Sequence, residues 1–209
     1  MITLDLDGTV IDCYPRQMAV IGSILRRLKL QDVVNLDTLW EHKRQGFSTA
    51  EALTFQRVDK ELVDIFRLEW LSVIEQDEWL ALDQPFPWSR DALQQLSGMY
   101  FSMVLLTARQ NQEGVYRILN KYHLESFFTE VYVVSPQNAE FHKSNVLSRI
   151  QPIIHCGDSE IDAIASQNSG ISFVGVSCGQ RSQDMLRCYP SRAIIEDISR
   201  LPKFMLAYI

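Results

Sequence analysis

The sequence predicts an α/β protein: a parallel sheet with helices on both faces, and a small all-helical segment inserted after the first strand. Three observations predict it. The chain opens on a short apolar run, Ile2-Thr3-Leu4, that closes on Asp5-Leu6-Asp7-Gly8-Thr9. Residues 15 to 80 then read almost wholly helical, with sparse punctuation at Pro15, Gly22 and Gly46. Beyond the breaker segment Asp83-Gln84-Pro85-Phe86-Pro87, apolar strands alternate with amphipathic helices.

Each element follows from its pattern. On the first strand Asp5 and Asp7 are two residues apart, so both project to one face, and Gly8 has the backbone freedom for the turn that follows. In the helical stretch Met18, Ile21, Leu25 and Leu28 recur at helical spacing. So do Leu62, Ile65, Phe66, Val73 and Ile74. After the break, a helix over 89–96 precedes a strand over 100–106, and a helix over 113–122 precedes a strand over 131–134. A short helix opening at Lys143 leads to a strand over 152–156. A helix over 161–167 leads to a strand over 171–176. A weaker strand at 193–195 precedes a last helical segment near 197–208, which Pro202 would interrupt. The expected division is a Rossmann-like core of residues 1–14 and 84–209 and a helical cap of residues 15–83. In such sheets ligands bind beyond the carboxyl ends of the strands, where strand order reverses.

Composition narrows the function. Of 209 residues, 46% are hydrophobic, enough for a proper core. The net charge of −6 argues against a general binder of nucleic acid or anionic membrane. No stretch approaches the length of a membrane span, and no secretory signal precedes the first strand. Cys13, Cys156, Cys178 and Cys188 lack zinc spacing and fit reduced thiols, so a cytoplasmic location is expected. The histidines are scattered and suggest no metal cluster.

The chemistry gathers at strand ends. Two close carboxylates, Asp5 and Asp7, repel each other unless a cation sits beside them, and oxygen-only ligands suit Mg²⁺. A second apolar run, Leu105-Leu106-Thr107-Ala108-Arg109, ends in a hydroxyl. A third, Ile153-Ile154-His155-Cys156-Gly157-Asp158-Ser159-Glu160-Ile161-Asp162, ends in acids, and Lys143 lies between the two. In this order the four segments resemble the haloacid dehalogenase-like (HAD) hydrolase superfamily. The helical-cap branch of phosphoglycolate phosphatase and β-phosphoglucomutase is the most similar, and Val176-Ser177-Cys178-Gly179-Gln180-Arg181-Ser182 also resembles it.

The resemblance implies that the first strand is central, flanked by the Thr107 and Asp158 strands. It also implies a Mg²⁺-dependent phosphatase of a small phosphorylated metabolite, working through an aspartyl-phosphate. Asp5 would be nucleophile and metal ligand, and Asp7 the acid and base, with its carbonyl on the metal. Lys143 would neutralise phosphate and nucleophile, although Ser144 stands where many relatives have proline. Thr107 and Ala108 would bind phosphate, and Asp158 would be an outer metal ligand. Asp162 would hold a metal-bound water or orient Lys143. Asp7 favours phosphate-ester chemistry, because the dehalogenase and phosphonate-cleaving branches lack an aspartate there. Arg109 is a second candidate anion ligand, although an arginine near a helix start is ordinarily exposed.

In capped relatives a loop between early cap helices reads the leaving group. Here that region is Trp40-Glu41-His42-Lys43-Arg44-Gln45-Gly46-Phe47-Ser48-Thr49, with Gly46 ending one helix and Ser48 or Thr49 capping the next. Its positive run, with Arg44 the candidate contact, suits a substrate with a second anion; a solvated charge run at a helix end explains it as well. A phosphomutase of a sugar phosphate, or a non-catalytic scaffold that keeps the fold, are the alternatives. The natural substrate and the oligomeric state are not readable from the sequence.

Overall fold

The protein is described by a computed structural model covering residues 1–207. The chain divides into two units, Met1–Asp12 with Gln84 onward, and Cys13–Asp83. In chain order the elements are β1 (Ile2–Leu4), β2 (Ile11–Asp12), α1 (Tyr14–Arg27), α2 (Leu36–Arg44), α3 (Thr49–Phe55), α4 (Lys60–Val73), α5 (Asp77–Leu80) and β3 (Gln84–Pro85). There follow α6 (Ser89–Gly98), β4 (Met103–Ala108), α7 (Gln112–Lys121), β5 (Phe128–Val134), α8 (Ala139–Ile150), β6 (Ile154–Gly157), α9 (Glu160–Ser169), β7 (Ser172–Val176), α10 (Gln183–Leu186), β8 (Ala193–Ile195) and α11 (Leu201–Leu206).

The first unit is built on a six-stranded sheet of order β5-β4-β1-β6-β7-β8, parallel throughout. Strand order reverses at β1, which lies between β4 and β6, so the switch point falls at the strand that leads into Asp5. Both faces are covered. Leu105 packs with Leu4, Leu93 and Val115 on one side, while its neighbour Leu106 packs with Leu147 and Ala165 on the other. That two-sided burial is why the strands read as unbroken apolar runs. Short β2 and β3 pair antiparallel, Ile11 opposite Pro85. Among the described residues, no helix is long and apolar enough to cross a membrane.

Several boundaries differ from the sequence reading. α8 starts at Ala139, behind the left-handed Asn138, so Lys143 lies in its second turn rather than at its start. The helix stops at Gln151, also left-handed, with Pro152 next, and β6 begins at Ile154. This abrupt stop lets the short interval between Lys143 and Asp158 hold two helical turns and a strand. Pro202 opens α11 instead of interrupting a helix, because a first-turn proline lacks only an N–H that has no helical partner anyway. The expected end of that segment, residue 208, lies outside the described residues.

The second unit has its own core of Ile21, Leu25, Leu39, Leu53 and Phe66. Ile65, counted with that face from its spacing, points outward and is 43% exposed, because α4 turns Val63 and Phe66 inward. Ser48 caps α3 with a reciprocal bond to Glu51, which makes Ser48 and not Thr49 the cap. Lys43 is buried; its Nζ donates to Thr49 Oγ1 at 3.0 Å and lies 5.8 Å from the Trp70 ring centroid. It is therefore not part of a solvated charge run.

Arg16 on α1 is buried and donates Nε to the buried Asp83 at 2.8 Å. Removing one partner of a buried pair leaves the other charge uncompensated, at about 3–5 kcal/mol. Asp83→Ala should therefore lower unfolding stability by about that amount in urea melts. A loss within about 1 kcal/mol, the worth of a surface pair, would show that the pair does not hold this unit.

Candidate active site

β1 pairs Leu4 with Leu105 of β4 and with Cys156 of β6, and Asp5 N donates to the Cys156 carbonyl at 2.8 Å. Asp5, the Thr107-Ala108 pair and Asp158 therefore leave the sheet at the same edge. Thr107 is fully within the strand end and buried, and Ala108 is half-buried beside it. After Asp7 the chain turns at Gly8, whose φ is +72°. A side chain there would be strained, and its Cβ would strike the Asp158 carboxylate.

Lys143 reaches this edge from α8. Its Nζ donates to Asp5 Oδ1 and to Asp162 Oδ1, both at 2.6 Å, and all three groups are buried. Burial alone would lower the lysine pKa; Asp162 and Asp5 outweigh it and raise it above the ordinary value, so the ammonium stays charged. Burial would likewise raise Asp162, but Lys143 and His155 hold it below the usual carboxylate range. Asp5 goes the other way: burial, reinforced by Asp162 and Asp7, pushes it to about 7 against the pull of Lys143. Asp158 is pushed well above the ordinary range, by burial first and then by Asp5 and Asp162.

Asp162 is held from three directions. Besides Lys143, it accepts from Ser159 Oγ at 2.6 Å and lies 3.1 Å from His155 Nε2. An ionised carboxylate only accepts, so His155 carries its proton on Nε2, and its Nδ1 lies 3.0 Å from the Thr3 hydroxyl, whose single proton it shares with the Ile154 carbonyl at 3.2 Å. Burial holds His155 below its ordinary pKa, consistent with this neutral form. His155 is a site residue that motif reading missed. The available signal was a polar residue inside the apolar run 153–156, which needs a partner when buried.

Arg109 also departs from expectation. It is 3% exposed, and its guanidinium holds both oxygens of the Asp7 carboxylate: Nε donates to Oδ2 at 2.7 Å and Nη2 donates to Oδ1. Glu160, one residue past Ser159, pairs instead with Arg181 at 2.5 Å. Arg44 belongs to the second unit, where it closes α2 and is half-buried.

The arrangement fits a divalent metal. Ligand oxygens of Asp5, Asp158 and Asp162 lie within 4.8 Å of one another. The carboxyl groups of Asp5, Asp7, Asp158 and Asp162 outnumber the two cations beside them, Lys143 and Arg109, and the raised pKa values of Asp5 and Asp158 mark these two as lacking a compensating charge unless a further cation is held. An oxygen-only set of this kind suits a hard cation. Asp162 is the most fully occupied by protein donors, whereas Asp158 accepts from the Gln180 N–H at 2.5 Å.

Comparison with known proteins agrees with this geometry. The family model described as haloacid dehalogenase-like hydrolase matches residues 2–176. A haloacid dehalogenase-like family hydrolase from Streptococcus pneumoniae superposes with a TM-score of 0.75 at 20% identity, covering 99% of this chain and 96% of that one. A predicted phosphatase from Clostridium acetobutylicum gives 0.75 at 18% identity, covering 99% and 97%. A predicted phosphoglycolate phosphatase from Haemophilus somnus gives 0.69 at 18% identity, covering 98% and 97%. At these identities the likeness is one of fold. No curated protein matches the chain by sequence.

The pKa directions set a pH test. Between 3.8 and about 7 the folded chain keeps a proton on Asp5 that the unfolded chain has released, so stability falls as pH rises; Asp158 acts in the same sense to higher pH. Asp162 acts oppositely, but only at acid pH, and His155 acts oppositely only below its ordinary 6.5. In chelator, the melting temperature should fall from about pH 6.5 to about pH 8. Added Mg²⁺ or Mn²⁺ should raise it, and more at the higher pH. A melting temperature that ignores these ions at both pH values would exclude the cluster as a metal site.

Proposed function

We propose that this chain, which belongs to the haloacid dehalogenase-like hydrolase family, is a Mg²⁺-dependent phosphatase that hydrolyses a small phosphorylated metabolite through an aspartyl-phosphate on Asp5. The observation that carries the reading is the buried Asp5 carboxylate at the switch point, 2.6 Å from the Lys143 ammonium and within 4.8 Å of Asp158 and Asp162. That is a nucleophile, a fixed cation and a metal-ligating set converging on one strand end.

The chain's own residues account for the steps. Lys143 fixes the Asp5 carboxylate and offsets its repulsion from an incoming phosphate dianion. One Asp5 oxygen attacks phosphorus as the bond to the leaving oxygen breaks, and Asp7 gives its proton to that oxygen. Asp7 then takes a proton from water, the water oxygen bonds to phosphorus, and the bond to Asp5 breaks, which restores both carboxyl groups. Thr107, buried at the adjacent strand end, and the Ala108 backbone would bind phosphate oxygens. Mg²⁺, held by Asp5, the Asp7 carbonyl and Asp158, would neutralise charge on the phosphate oxygens. Asp162, with three protein donors on its carboxylate, would orient Lys143 rather than bind the metal directly.

Asp5→Asn should abolish hydrolysis of p-nitrophenyl phosphate while the circular dichroism spectrum stays that of the folded chain, because an amide is a poor nucleophile. EDTA should abolish wild-type activity and Mg²⁺ restore it. Turnover by Asp5→Asn near the wild-type rate, or full activity in excess chelator, would remove the nucleophile or the metal from the reading.

For substrate choice, Arg44 would read a second anionic group on the leaving group. Arg44→Ala should then raise KM for a metabolite with such a group by a loss of about 1.5–3 kcal/mol, the worth of a hydrogen bond to a charge. Its effect on p-nitrophenyl phosphate should be small, since the bond-breaking step is untouched. Equal losses on both substrates would assign Arg44 to the support of its own helix.

A further inference from the structure

The catalytic steps proposed for Asp5, Asp7 and Lys143 leave Arg109 without a task, although it is a second cation at the site. It follows Ala108, the last residue of β4, and its N–H extends the β4–β5 ladder by donating to Val134 O at 3.1 Å. The arginine side chain is 2% exposed and the Asp7 side chain 25%. The guanidinium is thus buried, while the Asp7 side chain it holds keeps partial access to solvent. Both Asp7 oxygens are engaged by two N–H groups of one planar fork. Such a fork fixes the plane of a carboxylate as well as its position, which a point charge does not.

Resting on the phosphatase reading, we propose that Arg109 is a positioning residue for the acid–base step: it sets the plane in which Asp7 meets the leaving oxygen. A single ion pair would need only charge; the bidentate contact, on a backbone anchored in the sheet, adds direction. The substrates it serves are phosphate esters of alcohols, whose alkoxide must receive a proton as it leaves. Acyl phosphates, whose carboxylate departs unaided, have little use for it.

Leaving-group dependence tests this. Wild type, Arg109→Gln and Arg109→Lys are compared by kcat/KM on 4-nitrophenyl, 4-chlorophenyl, phenyl and 4-methoxyphenyl phosphate in Mg²⁺, with melting curves to check folding. The wild-type rate should vary little along the series. In Arg109→Gln the loss should grow with the basicity of the leaving group, smallest for 4-nitrophenyl and about 10²-fold for the most basic, the lower range for a displaced general acid. Arg109→Lys, with charge but no fork, should show the same steepening. In an Asp7→Asn background, Arg109→Gln should add no further steepening, because its route to the substrate is gone. A uniform loss along the series would mean that Arg109 supports the fold or the phosphate site, and a wild-type profile in Arg109→Lys would mean that charge alone suffices. Either overturns the proposal while the phosphatase reading stands. A wild type inactive on every ester in Mg²⁺ would overturn both.

Discussion

One ammonium group ties the candidate site together. Lys143 Nζ bridges Asp5 on the β1 edge and Asp162 on α9, and all three groups are buried. Leaving any one of them without the others would bury a charge uncompensated, at several kcal/mol. The placement of α8 and α9 against the sheet therefore has to satisfy this contact. An exposed pair such as Arg27–Glu69 imposes no comparable demand, since solvent supplies an alternative partner for each group.

The support continues into the sheet. Thr3 and His155 are register partners on β1 and β6, so a one-residue slip of either strand would part them and turn one of the two to the opposite face. Their bonds run from the Thr3 hydroxyl through the imidazole to Asp162 and on to Lys143. Polar groups in an apolar strand layer are costly unless every member is satisfied. Here each has a partner, and the register that satisfies them also aligns the ends of β1 and β6. Gly157 belongs to the same constraint: a Cβ there would meet the Asp162 Cβ at 2.6 Å, so the helix start could not come this close to the strand.

Much of this was legible in the sequence because it is local. The strand-end acids, the turn glycine, the alternation of strands and helices and the long helical insert each show within a few residues. What escaped was non-local. Arg109 and Asp7 are 102 residues apart, so nothing near Arg109 distinguishes a buried clamp from an exposed helix-start arginine. His155 looked like a scattered histidine because its partners are Thr3, on another strand, and Asp162, a helical turn past Asp158. The start of α8 was misplaced because Lys143 drew the boundary to itself. The break is made by the left-handed Asn138, a conformation that asparagine tolerates but does not announce.

The partners also rank the carboxylates by what a divalent cation would change at each. Asp7 has the Arg109 fork, Asp162 has a lysine, a hydroxyl and an imidazole, and Asp5 shares the lysine. Asp158 has a backbone N–H from Gln180, and burial pushes its pKa well up. Ionising Asp158 is thus the step that the protein alone supports least. Placing a cation at this edge would have to displace the Asp158 proton and, near neutral pH, that of Asp5, which opposes binding as pH falls. The global charge of −6 does nothing to draw a phosphate here. Attraction for an anion has to be made locally, from Lys143, Arg109 and whatever cation the acids hold. If a cation is held here through carboxylates reluctant to ionise, phosphate affinity would be coupled to its occupancy, and both to pH.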